Sequence, residues 1–190
     1  MADYRRMYEL GGMYFFTVVT HRRRDLFSND KARECLRMSI SQIRAQRPFE
    51  MVASVLLPDH LHCIWKLPDG DADFSTRWAC IKKEFSKLWI AQCAGEIEVS
   101  NARKSHREVG VWQRRFWEHR IRNEDDMICH VNYIHYNPVK HGVVRCPHDW
   151  AHSSFHRWVK DGYYRADWLC DCLKPRSQQP SFASIETAGE

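Results

Sequence analysis

Apolar positions along the chain switch between two periods, and each switch marks an element. Residues 14–20 (Tyr-Phe-Phe-Thr-Val-Val-Thr) are nearly continuous in apolar and β-branched side chains after Gly11-Gly12, which predicts a central strand. From 29 to 46 the pattern is helical: Ala32, Leu36, Ile40 and Ile43 recur at helical spacing, Ser28 or Asn29 caps the start, and Pro48 stops the run. Residues 49–57 predict a second strand, which Pro58-Asp59 turns into a third at 60–67. In that third strand Leu61, Cys63, Trp65 and Leu67 share one face. His60 and His62 share the other, because successive strand side chains point to opposite sides.

A second helix is predicted over 74–91, with Trp78, Ile81, Phe85, Leu88 and Trp89 as its apolar stripe and Asp73 or Ser75 as its cap. Polar, aperiodic residues at 92–110 predict a surface loop, and 111–121 a fourth strand. Asn123-Glu124-Asp125-Asp126 starts a third helix, which continues through Ile128, Val131 and Ile134 until Pro138 ends it. The order is βαββαβ plus a helix. It predicts an α+β, ferredoxin-like fold, an antiparallel sheet with two helices on one face and the other face free. The two histidines would emerge on that free face.

Composition narrows the class. The 190 residues are 44% hydrophobic and 13% aromatic, enough for a packed core and against a wholly disordered chain. No apolar run approaches the roughly 20 residues of a membrane span, and a soluble, cytoplasmic protein is expected. The eight cysteines form no C-x-x-C pair, so reduced thiols are the default and Cys170/Cys172 alone is weak support for zinc. The segment 174–190, rich in Ser, Pro and Gln, predicts a disordered tail behind a single domain at 1–173.

The net charge is only +5 but is unevenly placed. Arg103, Lys104, Arg107, Arg114, Arg115, Arg120 and Arg122 face only Glu108 and Glu118 between 103 and 122, with Trp112, Phe116 and Trp117 interleaved. Arg5, Arg6 and Arg22–Arg24 form a second basic group. Guanidinium groups bind phosphate and aromatic faces stack on unpaired bases, so this mixture fits a single-stranded or looped nucleic acid as well as it fits a solvated charged face.

Two further features suggest chemistry. Imidazoles at i, i+2 on one strand face can hold a divalent metal, although two surface histidines would look the same. Tyr133 and Asn137, at i, i+4, are neighbours on one helical face. Tyr offers a nucleophile and Asn a carbonyl ligand, or both are ordinary helix residues.

The segment Pro58-Asp-His-Leu-His-Cys-Ile-Trp65 resembles the His-hydrophobic-His motif of the HUH single-strand DNA endonucleases. Trp112-Gln-Arg-Arg-Phe-Trp-Glu-His119 and Asn132-Tyr-Ile-His-Tyr-Asn-Pro-Val-Lys-His-Gly142 resemble the REP-associated tyrosine transposases, bacterial relatives of single-tyrosine insertion-sequence transposases. Tyr4-Arg-Arg and Gly11-Gly12-x-Tyr-Phe-Phe-Thr-Val fit the same group, and the likeness runs from about 4 to 168. It implies an HUH fold with an additional C-terminal catalytic helix, Tyr133 as nucleophile, and Mg²⁺ or Mn²⁺ held by His60 and His62. Asn137 would be the third ligand, where the insertion-sequence relatives often carry Gln.

By the same resemblance the partner is a short palindromic DNA hairpin with unpaired flanks, cut and rejoined through a 5′-phosphotyrosine by a monomer or weak dimer. Arg5, Arg6, Arg114, Arg115 and Trp117 are the candidate DNA contacts. The competing expectations are a ferredoxin-like hairpin-binding protein without chemistry, and a relaxase or replication initiator that uses paired tyrosines such as Tyr133 and Tyr136.

Overall fold

The computed structural model describes residues 8–93 and 110–170 together with Cys172, Phe182 and Ile185. Four strands form one antiparallel sheet in the order β2-β3-β1-β4: β1 is Met13–Val19, β2 Glu50–Leu56, β3 His60–Lys66 and β4 Trp117–Arg120. Helix α1 (Asp30–Gln46) crosses between β1 and β2, and α2 (Phe74–Cys93) between β3 and β4. That is the ferredoxin-like α+β arrangement, with α3 (Glu124–Lys140) and the short α4 (Phe155–Lys160) added behind it. Among the described residues no helix is long and apolar enough to cross a membrane.

The first face of the sheet is the aromatic core. Tyr14, Phe16, Leu61, Cys63 and Trp65 pack there against Ala32, Leu36 and Ile43 of α1 and Trp78, Ile81 and Phe85 of α2. Trp65 stacks on Trp78 at 4.3 Å between centroids and on Phe49 at 4.0 Å. The helices start as their caps require: Asn29 accepts from the Lys31 and Ala32 amides, and Asp73 from the Thr76 amide. Gly12 leads into β1 because a Cβ there would lie 2.9 Å from both the Glu9 carbonyl oxygen and the Tyr14 ring.

The second face is not free, contrary to the expectation from the pattern. Helix α3 lies across it, and Phe15, Ala53, Val55 and Ile64 of the sheet pack against Val131, Tyr133, Ile134 and Val139. The helix does not stop at Pro138 either. It runs on to Lys140, because burial of His130, Val131 and residues 133–139 outweighs the one backbone bond that proline forfeits. Ile128 faces solvent, so the apolar stripe begins later than its spacing suggests.

The fourth strand is shorter than predicted. Trp112 bridges to Thr20 and the Gln113 amide donates to Val19 O, but the exposed Arg114-Arg115 pair interrupts the ladder before Trp117. Ser54 of the outer strand β2 exchanges bonds with Ser154, while Trp150 and Trp158 donate to Leu56 O and Val52 O. This covers an edge that would otherwise be open to a foreign strand. Most of the predicted loop at 92–110 and tail at 174–190 lies outside the described residues. Phe182 and Ile185 are buried on the second face.

A buried arginine ties α2 to the rest. Arg77 donates to both Asp71 carboxylate oxygens, at 2.6 and 3.1 Å, and to the carbonyls of Arg47, Pro48 and Asp73. The Arg77 guanidinium holds the Asp71 carboxyl below its ordinary range. Arg77→Met strands those acceptors and is expected to lower the unfolding free energy by about 3–5 kcal/mol in urea titrations followed by tryptophan fluorescence. A loss below about 1 kcal/mol would show that the clamp is dispensable.

Candidate nucleic-acid cleavage site

The site forms where β3 meets α3. Strand alternation sends His60 and His62 away from the tryptophans and toward the helix, with ring centroids 4.7 Å apart. Each imidazole is oriented through Nδ1: that of His60 lies 2.5 Å from Asp59 Oδ1, and that of His62 2.9 Å from Thr17 Oγ1. Thr17 can do this because it pairs directly with His62 across the β1–β3 ladder. Arg23 in turn binds Asp59 Oδ2 at 3.0 Å. Burial opposes ionisation of Asp59, yet the bonds from His60 and Arg23 outweigh it and hold the carboxyl below its ordinary range.

Helix α3 supplies the rest. The Tyr133 ring lies 5.3 Å from His62 and 6.0 Å from Phe15, and Lys140 Nζ stands 5.2 Å over its face. One turn on, Asn137 is fully buried, with no hydrogen-bond partner for Oδ1 or Nδ2 among the described residues. His60 Nε2 is in the same condition. Burying such groups unpaired is costly, so a buried amide and an imidazole nitrogen left without partners fit a site made for a cation. The second-partner pattern, a carboxylate on one imidazole and a hydroxyl on the other, is that of metal-binding histidines.

No family model matches the chain. It is 45% identical over 171 residues to the REP-associated tyrosine transposase of Escherichia coli K12, spanning 90% of this chain and 93% of that protein. A Haemophilus influenzae relative of the same family name is 43% identical over 168 residues, 88% of this chain and 93% of its own. The chain belongs to the REP-associated tyrosine transposases. A solved structure of such a transposase bound to a REP hairpin superposes with a TM-score of 0.73 at 43% identity, over 95% of this chain and 99% of that one.

Not every predicted site residue of this transposase joins the cluster. Arg114 and Arg115 are exposed beside β4, and Arg5 and Arg6 lie outside the described residues. Trp117 is half-buried, edge-on to Phe15 at 5.6 Å and parallel to His119 at 5.9 Å, so its ring already has protein neighbours. Tyr136, three residues from Tyr133, is buried toward Phe182, 5.9 Å between ring centroids.

Some residues near the site went unnoticed in the sequence. His141, at the end of α3, lies 5.2 Å from the His60 ring. On the far side of Phe15, His130 stacks on His119 at 4.5 Å. Asp126 organises both: Oδ2 accepts from His119 and from Arg122 Nε at 2.9 Å each, and Oδ1 lies 3.2 Å from His130 Nδ1. The His130 pKa is lowered, chiefly because burial disfavours the imidazolium. Asp126 and His130 are one turn apart on α3, but His119 comes to them from β4 and His141 meets His60 from the far end of the helix, so their grouping depends on the fold.

Burial works against the Asp126 carboxylate, but the Arg122 and His119 bonds prevail and its pKa falls well below the ordinary carboxylate range. A carboxyl depressed on folding stabilises above its unfolded value of about 4, and that contribution fades as pH falls through the folded value. Asp126→Asn is expected to cost about 1.5–3 kcal/mol at pH 7, with the gap to wild type narrowing as the pH is lowered from about 5 to 2. A gap that widens with acid would contradict this assignment.

Proposed function

We propose that this transposase cuts and rejoins single-stranded DNA beside a REP-type hairpin, with Tyr133 as the nucleophile. The carrying observation is that the His62 ring lies 4.7 Å from that of His60 and 5.3 Å from that of Tyr133, with the buried Asn137, unpartnered among the described residues, one turn further along the same helix. His60, His62 and Asn137 would hold the ion, with Mg²⁺ or Mn²⁺ the expected occupant. Such a cation polarises a phosphoryl oxygen and offsets the charge that develops there.

The chain's own groups do the rest. Asp59 and Thr17 fix the imidazoles, so these two rings need not reorient when substrate arrives. The Tyr133 phenol oxygen attacks the scissile phosphorus, the P–O bond to the 3′ oxygen breaks, and a 5′-phosphotyrosine and a free 3′-OH result. Attack by a 3′-OH on that ester reverses the step and restores the phenol, so joining needs no external energy. Tyr133 keeps only 1% of its surface and touches Phe182 at 5.6 Å, so the strand reaches it once that ring has moved aside. One nucleophile per chain suits a monomer.

The hairpin assignment rests on the relatives and on the exposed arginines: Arg114 and Arg115 beside β4 and Arg22–Arg24 just after β1 carry the phosphates, together with Arg5 and Arg6. Trp117, half-buried beside them, is the candidate to stack on a base. If about five phosphates are neutralised, log affinity against log salt has a slope of about −3.5. A salt-insensitive interaction would contradict a phosphate-binding surface.

With Mn²⁺ and a labelled hairpin carrying a single-stranded flank, the wild type and Tyr136→Phe are expected to form a covalent protein–DNA adduct and Tyr133→Phe none. His60→Ala with His62→Ala is expected to abolish the adduct while hairpin affinity stays within a few-fold. An adduct formed by Tyr133→Phe would overturn the nucleophile. Normal cleavage by the double histidine variant would overturn the ion site.

A further inference from the structure

The third helix is followed by a second cluster of metal-ligating side chains, which the cleavage site does not use. Cys146 opens the turn Pro147–Asp149 and His148 sits within it, while Cys170 and Cys172 arrive from the other end of the C-terminal layer. Ligand atoms of Cys146, His148 and Cys170 all lie within 4.8 Å of one another. His148 Nδ1 is 3.6 Å from Cys170 Sγ, and Cys146 Sγ is 3.2 Å from Cys172 Sγ. Cys146 and Cys170 are both buried.

We propose that Cys146, His148, Cys170 and Cys172 bind one structural zinc ion. Tetrahedral zinc with Zn–S of about 2.3 Å and Zn–N of about 2.05 Å separates S from N by about 3.6 Å and S from S by about 3.8 Å. The observed His148–Cys170 distance meets the first value. The Cys146–Cys172 pair need open by only about half an ångström to meet the second. Three thiols and an imidazole form a soft donor set that selects zinc over magnesium or manganese. One disulfide would leave a third thiol beside the imidazole with no role.

His148 also has the outer partner such ligands carry, since its Nε2 lies 3.1 Å from Asp149 Oδ1. Its Nδ1 now meets the Ala166 carbonyl at 3.0 Å and would exchange that contact for the ion. Burial pushes the Cys146 and Cys170 thiols up. Binding Zn²⁺ releases three thiol protons, one per cysteine.

The ion would join the two ends of the stretch 147–169. That stretch carries Trp150, Ser154 and Trp158, the residues that cover the edge of β2. A zinc clip here holds the C-terminal layer against the sheet, through residues none of which are proposed for the cleavage-site ion.

Full-length protein purified without chelators is expected to contain about one zinc per chain by elemental analysis. Exchange into Co²⁺ is expected to give the intense thiolate-to-cobalt absorption of a cysteine-rich tetrahedral site. His60→Ala keeps both signals. Cys146→Ser with Cys170→Ser, and the milder His148→Ala, lose zinc and lower the thermal midpoint by several degrees. The wild-type cobalt spectrum decides the matter even if the cysteine variant fails to fold. No thiolate band in reduced, cobalt-loaded wild type, a band that survives the cysteine changes, or a metal-free protein with Cys146 disulfide-bonded to Cys172 would each overturn the proposal.

Discussion

The register of β3 between β1 and β2 is the constraint from which the rest follows. With Thr17 opposite His62 and Phe16 opposite Cys63, alternate residues of one strand serve two unlike environments. Leu61, Cys63 and Trp65 complete the aromatic core, while His60 and His62 face α3. A slip of one residue would drive both imidazoles among Tyr14, Phe16 and Trp78 and expel Leu61, Cys63 and Trp65 to the other side. Burying imidazoles there without partners costs several kcal/mol, so the hydrophobic core itself enforces the position of the polar pair.

The second face therefore combines two demands, apolar packing and polar chemistry. Phe15 is the shared wall, touching His62, His130, Tyr133 and Trp117. Around it nearly every buried polar atom is engaged: Asp59 and Thr17 on the histidines of β3, Asp126 on the pair at the start of α3. His60 Nε2 and both polar atoms of the Asn137 side chain, on facing elements, have no hydrogen-bond partner among the described residues. Polar atoms buried this deeply without a partner are costly, and a bound ligand is one way to satisfy them.

Much of this was legible in the residues themselves. The βαββαβ order, the caps of α1 and α3, and the opposed faces of β3 all follow from local periodicity and cap chemistry, and the structure has them. The covered second face was not legible, because the apolar residues of α3 interleave with His130, Tyr133 and Asn137 and blur its stripe. The passage through Pro138 depends on tertiary packing, and the short β4 on two adjacent arginines that prefer water to a ladder. Tyr133 and Asn137 stand out by spacing. Asp59 adjoins His60 in sequence, but the roles of Thr17, His141 and the Cys146–His148–Cys170 cluster become visible only when distant segments meet.

The most direct test of the central claim, that β3 and α3 share one ion, is paramagnetic broadening by substoichiometric Mn²⁺ in the NMR spectrum of the full chain. The resonances of the His60 and His62 rings, the Asn137 side-chain amide and the Tyr133 ring should broaden together and first. Broadening centred on His119 and His130, or on only one of the two elements, would contradict a shared site.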